Sequence, residues 1–170
     1  MTTLHDIRAI AFDVDGVLTD GSVWWGPNGE EWKHFHFSDI MGVSLAQRAG
    51  LEIALISGED SPLVSRYAEK MKIAHVHKGI RDKAAALHQF SIDTAIPLQE
   101  ICFMGDDIND LPAMDIAGFS AAPSNANQLV LAGVDFCCAH SGGNGAVREL
   151  IDALLAARNL KPLDVFRRSR

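Results

Sequence analysis

The stretch IRAIAFDVDGVLTD, Ile7 to Asp20, decides the fold. It opens as an uninterrupted apolar run and then releases Asp13 and Asp15, two residues apart, just before Gly16. Apolar side chains on successive residues are what a strand buried on both faces of a parallel sheet requires. The carboxyl end of such a strand is where open α/β sheets bind ligands, and a glycine there lets the chain turn away.

Working outward, five further apolar or β-branched runs follow: LEIALIS (Leu51 to Ser57), IAHVHK (Ile73 to Lys78), EICFMG (Glu100 to Gly105), AGFSAA (Ala117 to Ala122) and GVDFCC (Gly133 to Cys138). Helix-length amphipathic stretches separate them, near 40–49, 61–71, 80–91, 108–116, 125–131 and 143–158. Parallel neighbours need a crossover long enough to hold a helix, so this alternation predicts a doubly wound, Rossmann-like α/β domain with a parallel sheet. One segment breaks the rhythm. In SVWWGPNGEEWKHFHF (Ser22 to Phe37), two aromatic-rich runs flank Gly26-Pro27-Asn28-Gly29, which is hairpin chemistry. The expected organisation is one domain over 1–160, with a hairpin flap at about 22–37, and a tail over 161–170. The stretch LKPLDVFRRSR (Leu160 to Arg170) reads as detachable, with a mobile basic end.

Composition sets bounds on partners. With 170 residues, 48% hydrophobic and 22% charged, the chain has the make-up of a soluble globular domain. A formal net charge of −7 argues against a nucleic-acid or anionic-membrane surface, while leaving room for a local basic pocket. No apolar run approaches the roughly 20 residues of a membrane span, and the first residues lack a cationic-then-apolar leader pattern, so a cytoplasmic location is expected. Cys102, Cys137 and Cys138 cannot form a full disulfide framework and read as reduced thiols.

The chemistry gathers where strands end. Two carboxylates leaving a core strand are costly without a cation, which points to Mg²⁺, although turn or capping aspartates are common. A second strand ends in GDDINDL, bringing Asp106, Asp107 and Asp110 to another strand–helix junction; one of them could simply cap the helix. An oxygen-rich cluster without cysteines suits Mg²⁺ better than zinc. Ser57 and Gly58 end a third strand with a hydroxyl and a flexible amide, a phosphate cradle or an ordinary cap. Lys78, Arg81 and Lys83 stand at a helix start, where a cation opposes the helix dipole unless it faces an anion; Lys83 is the chosen one.

In that order, Asp13-x-Asp15-Gly-Val-Leu-Thr-Asp, Ser57, Lys83 and Gly105-Asp106-Asp107-x-x-Asp110 resemble the four motifs of the haloacid dehalogenase (HAD) superfamily of phosphohydrolases. Asp20-Gly21, Gly29-Glu30-Glu31, Asp39 with Gly42, and GGNGAVREL (Gly142 to Leu150) are similar to its capless subgroup, which acts on keto-acid sugar phosphates. The resemblance implies a Mg²⁺-dependent sugar phosphatase, with Kdo 8-phosphate or a nonulosonate 9-phosphate as substrate, and a homotetramer. It implies Asp13 as nucleophile and Asp15 as acid and base. Asp13, Asp106 and the Asp15 carbonyl would ligate the metal, with Asp107 and Asp110 in support. Ser57 and Lys83 would bind the phosphoryl oxygens, and Gly58, Glu59, Asp39, Arg66 and Lys70 would contribute to the substrate site. Glu59 stands where the eight-carbon group carries Arg, which is similar to the nine-carbon group, as is Lys70. Tyr67 and Phe37 depart from the nine-carbon pattern, and Arg66 is a stand-in for the missing base.

Other features have plainer readings. His34 with His36, and His75 with His77, would share strand faces as metal ligands do, but lack a third ligand. Trp24, Trp25 and Trp32 could stack on sugars, but fit an interface better. GGNGAVREL reads as a flexible helix start, with Arg148 a partner for a carboxylate. Receiver domains, which bind phosphate at Mg²⁺ without turnover, are the alternative, as is a degenerate noncatalytic domain; the receiver's acceptor position on a middle strand is here Ser57.

Overall fold

A computed structural model describes residues 2–168. Six parallel strands form the central sheet: β1 (Ala9–Phe12), β4 (Glu52–Ile56), β5 (His75–His77), β6 (Ile101–Met104), β7 (Phe119–Ala122) and β8 (Phe136–Cys137). Their order is β5-β4-β1-β6-β7-β8, so the chain reverses direction across the sheet between β1 and β6. That reversal opens the crevice in which such folds bind ligands. Phe12 is in register with Leu55 of β4 and Met104 of β6, which brings the residues after all three strands to one edge.

Alternation along the central strand sorts the core. Ile10 and Phe12 pack with α1 (Phe37–Arg48), α2 (Pro62–Met71) and α6 (Ala146–Ala157). Ala9 and Ala11 pack with α3 (Lys83–Thr94), α4 (Leu111–Ile116) and α5 (Gln128–Leu131). Both faces of the sheet are therefore covered, as the uninterrupted apolar runs of β1 and β6 demand. Helix starts carry their own signals: Ser61 Oγ accepts from the Leu63 amide before α2, and Asp82 from Ala85 before α3. On α6, Val147, Leu150, Ile151, Leu154 and Leu155 make one buried stripe at helical spacing. Gly42 lets α1 approach α6 so closely that a β-carbon there would lie 3.0 Å from the Arg148 Cα.

The hairpin pairs β2 (Trp24–Trp25) with β3 (Glu31–Trp32), antiparallel, with Trp24 opposite Trp32. An isolated bridge between Thr19 and Phe35 closes its base. All three tryptophans are exposed, Trp25 most at 75%.

The segment from Leu160 onward is not detachable over its described part. Leu160 packs on the core, Pro162–Phe166 forms helix α7, Val165 is fully buried, and Arg48 Nη1 donates to the Phe166 carbonyl at 3.0 Å. Leu160 and Val165 supply apolar surface for the α1 side of the core, which outweighs the basic character that suggested a loose end. Ser169 and Arg170, at the tip of that basic end, lie outside the described residues. No helix among the described residues is long and apolar enough to cross a membrane.

Candidate active site

Everything converges beyond Phe12. Asp13 leaves β1 with its amide bonded to the Met104 carbonyl, which fixes the residue against β6. The chain then closes a tight turn: the Leu18 and Thr19 amides donate to Val14, and Thr19 Oγ1 accepts from the Gly16 and Gly21 amides. Thr19 is fully buried and holds this loop in shape, a role whose only trace in the sequence is a hydroxyl between glycines.

Lys83, at the start of α3, is buried and reaches across the sheet edge. Its ammonium donates to Asp13 Oδ1 at 2.8 Å and to Asp110 Oδ1 at 2.6 Å. Burial lowers its pKa, but the charges of Asp13 and Asp110 more than offset that and hold it above the ordinary lysine value. Asp110 is wholly committed, because its Oδ2 accepts the Asp106 and Asp107 amides at 2.9 and 3.1 Å. It shapes the turn after β6 and anchors Lys83.

Asp13, Asp106 and Asp110 each offer a carboxylate oxygen, all within 4.8 Å of one another. Burial first and the Asp110 charge second push Asp13 up to about 8, against the pull of Lys83. The same two causes push Asp106 up to about 6. A cluster that strains toward protonation in this way is short of positive charge, and its donors are all oxygens. With both Asp110 oxygens engaged, Asp13 and Asp106 are the pair with capacity for a divalent cation. Asp107 stands aside, its Oδ1 accepting from Asn127 Nδ2 and the Ile108 amide.

A cavity of about 300 Å³ lies over this cluster, lined by Asp13, Asp15, Lys83, Asp106 and Asp107, together with Gly21, Gly58, Glu59 and Asn109. Ser57 directly follows β4 and precedes Gly58 of the cavity wall; it is buried, with its Oγ accepting the Glu59 amide at 3.1 Å. That leaves the hydroxyl hydrogen to donate. Asp15 Oδ1 meets Lys33 Nζ at 2.7 Å, while Asp15 Oδ2 is buried without a partner among the described residues.

Three expected substrate residues lie elsewhere. Asp39 is buried in α1, and its two oxygens accept the Arg148 and Gly145 amides at 2.9 and 3.0 Å. Asp39 therefore caps the start of α6, and at 1% exposure its carboxylate faces the protein interior rather than a cavity. Arg66 and Lys70 line a neighbouring cavity of about 220 Å³ with Lys33 and Tyr67, outside the acidic one. Arg148 finds its carboxylate in Asp152, one helical turn on, at 2.9 Å. Lys33, paired with Asp15, was not foreseen from the sequence, nor was Asn109 on the cavity wall. The available signal for Lys33 was the alternation Glu31-Trp32-Lys33 in a hairpin strand, which puts Glu31 and Lys33 on one face.

With this geometry in view, the chain can be set beside known proteins. Residues 65–150 match the haloacid dehalogenase-like hydrolase family. A 3-deoxy-D-manno-octulosonate 8-phosphate phosphatase of Salmonella typhi is 37% identical over 158 residues, covering 93% of this chain and 84% of that one. The Moraxella catarrhalis phosphatase of the same name, solved with magnesium ion, phosphate ion and KDO, superposes with a TM-score of 0.91 at 35% identity, covering 96% of this chain and 92% of that one. The Yersinia pestis phosphatase structure gives 0.90 at 33% identity, with 92% and 84% coverage.

Proposed function

The chain belongs to the haloacid dehalogenase-like hydrolases, and on that premise we propose that it is a Mg²⁺-dependent phosphatase of a keto-deoxy sugar acid phosphate, Kdo 8-phosphate or a nonulosonate 9-phosphate, working through an aspartyl phosphate on Asp13. The observation that carries this is a buried carboxylate, Asp13, set between the Lys83 ammonium and the Asp106 carboxylate at a sheet edge. Phosphomonoester hydrolysis is the activity of the relatives, and the chemistry of the site fits it.

The carboxylates of Asp13 and Asp106, with the Asp15 backbone carbonyl, would hold the metal. Mg²⁺ bound there neutralises the acidic cluster and draws charge from the phosphoryl oxygens. An Asp13 oxygen attacks phosphorus and the bond to the sugar oxygen breaks, its electron pair leaving with that oxygen, which takes the proton of Asp15. Water then gives a proton to Asp15 and attacks the same phosphorus, releasing phosphate and restoring the Asp13 carboxylate. Two of the three Lys83 hydrogens are held by Asp13 and Asp110, which leaves one for a phosphoryl oxygen beside the Ser57 hydroxyl and the Gly58 amide.

The receiver alternative loses ground, since the residue directly after β4, in the acceptor position, is Ser57 and not a carboxylate. The relatives' name favours the eight-carbon substrate, whereas Glu59 on the cavity wall favours the nine-carbon one. Phosphate release from both compounds, side by side with hexose phosphates, tests the proposal. Mg²⁺-dependent release from one of the two, well above that from the hexose phosphates, is the expected result; release from neither sinks the reading.

We also propose a homotetramer. Between Asp15 and Ser57 the chain holds only the hairpin and α1, and between Lys83 and Asp106 only α3, a short 3₁₀ turn (Leu98–Glu100) and β6, so no inserted domain covers the site. A second copy, seated on the exposed tryptophans, is the cover that remains.

A further inference from the structure

The hairpin carries its tryptophans outward and something different inward. The side chain of Lys33, just beyond β3, is only 5% exposed although it is of a strongly hydrated kind. Withdrawing an ammonium from water is costly unless it is paired. Its partner is Asp15 Oδ1 at 2.7 Å, with Glu31 Oε1 further off at 3.7 Å. Glu31 Oε1 also accepts a hydrogen bond from Ser61 Oγ at 2.9 Å, at the start of α2. The hairpin is thus tied at its base by the Thr19–Phe35 bridge and along its inner face to α2, and it delivers one positive charge to Asp15.

What this does to Asp15 follows from its two oxygens. Oδ1 is occupied by Lys33, while Oδ2 is buried and has no partner among the described residues. A carboxylate held by one oxygen cannot rotate to exchange them without breaking its ion pair, whose lysine side chain is 5% exposed and whose aspartate side chain is 30% exposed. Resting on the phosphatase reading above, we propose that Lys33 is a positioning residue for Asp15: by holding Oδ1 it fixes the orientation in which the carboxyl at the cavity wall gives its proton to the leaving oxygen and takes one back from water. Proton delivery is thereby conditional on a seated hairpin, which couples the flap to the chemistry.

Leaving groups separate this role from a structural one. A sugar alkoxide needs a proton in order to leave, whereas p-nitrophenolate does not, and kcat/KM reports the steps through leaving-group departure. Lys33→Met should lower kcat/KM for the sugar phosphate by about 10²-fold, chiefly in kcat, while p-nitrophenyl phosphate loses less than about fivefold, because loss of acid catalysis is felt only by the poor leaving group. Lys33→Arg, which keeps the charge, should recover most of that loss, and circular dichroism should show both variants folded. Asp15→Asn should show the same split between substrates and serves as the control. Equal losses on the two phosphates, a rise in KM alone, or no recovery with Arg would overturn the role given to Lys33. Wild-type protein inert toward the sugar phosphate, or Asp15→Asn without the split, would instead undo the underlying phosphatase reading. Should the Met variant fail to fold, Glu31→Gln, which loosens the same inner face, is expected to give a smaller split in the same direction; a Glu31→Gln loss equal on both substrates counts against the proposal.

Discussion

Gly16 passes so close to Asp106 that a β-carbon on it would fall 2.0 Å from Asp106 Oδ2, and its φ of +91° is one that side chains rarely tolerate. The two strand-end loops of the site are in contact through this absence of a side chain. Gly16→Ala must push Asp106 away or open the turn, and the backbone adds roughly 1–2 kcal/mol of its own. Activity should fall by at least ~10²-fold, since an ångström of misplacement can cost that much. The Mg²⁺ concentration needed for half-maximal activity should rise in the same variant. A near-normal rate at ordinary Mg²⁺ would show that the two loops need not touch.

The acidic cluster makes a prediction about pH. A carboxyl with a raised folded-state pKa binds its proton more tightly folded than unfolded, so its contribution is full below the ordinary value near 3.8. That contribution is lost as pH rises through about 6 for Asp106 and about 8 for Asp13. Chelated protein should therefore melt at a lower temperature near pH 8.5 than near pH 5, by this linkage alone. Mg²⁺ should restore the loss, as any ligand of the folded state does. Differential scanning fluorimetry across that range decides it, and a metal-free melting temperature that is flat or rises with pH contradicts the cluster.

Asp39 is predicted to matter for stability and not for substrate. Asp39→Ala leaves the Gly145 and Arg148 amides without acceptors, at about 1–3 kcal/mol for lost buried partners, and should lower the melting temperature by several degrees. KM at a temperature where the variant is folded should stay within about twofold of wild type, because surface and structural changes away from a site leave binding contacts intact. A large KM rise with unchanged melting would return Asp39 to the substrate site.

These outcomes bear on how much the chain displays in one dimension. The central strands β1 and β6 were legible because they are buried and apolar at every residue, and Asp13, Ser57 and Asp106 were legible because each stands within two residues of the end of an apolar run. GPNG announced the hairpin in the same local way. Asp39 was not legible: its cap joins residues 106 apart, a partnership only the packing of α1 on α6 creates. Val165 was missed for the same reason, its burial depending on a helix far away in sequence. Lys33 lay within a recognised element, but its meaning depended on which face of the hairpin turned toward Asp15.

Assembly has its own test. Trp24 and Trp32, 65% and 54% exposed and opposite each other, form the patch on which a second copy is expected to sit. Trp24→Glu with Trp32→Glu should yield monomers by light scattering at assay concentration, together with reduced activity. A fully active monomer would mean that the site is covered some other way.

The central claim is that phosphate passes through Asp13. Borohydride reduces an aspartyl phosphate to homoserine, so enzyme quenched during turnover with Mg²⁺ and the sugar phosphate can be reduced, digested and read by mass spectrometry. Homoserine at position 13, absent without substrate and absent in an Asp13→Asn protein that keeps its fold but loses turnover, is the predicted result. An Asp13→Asn variant that releases phosphate at the wild-type rate, with position 13 never modified in the wild type, would contradict it.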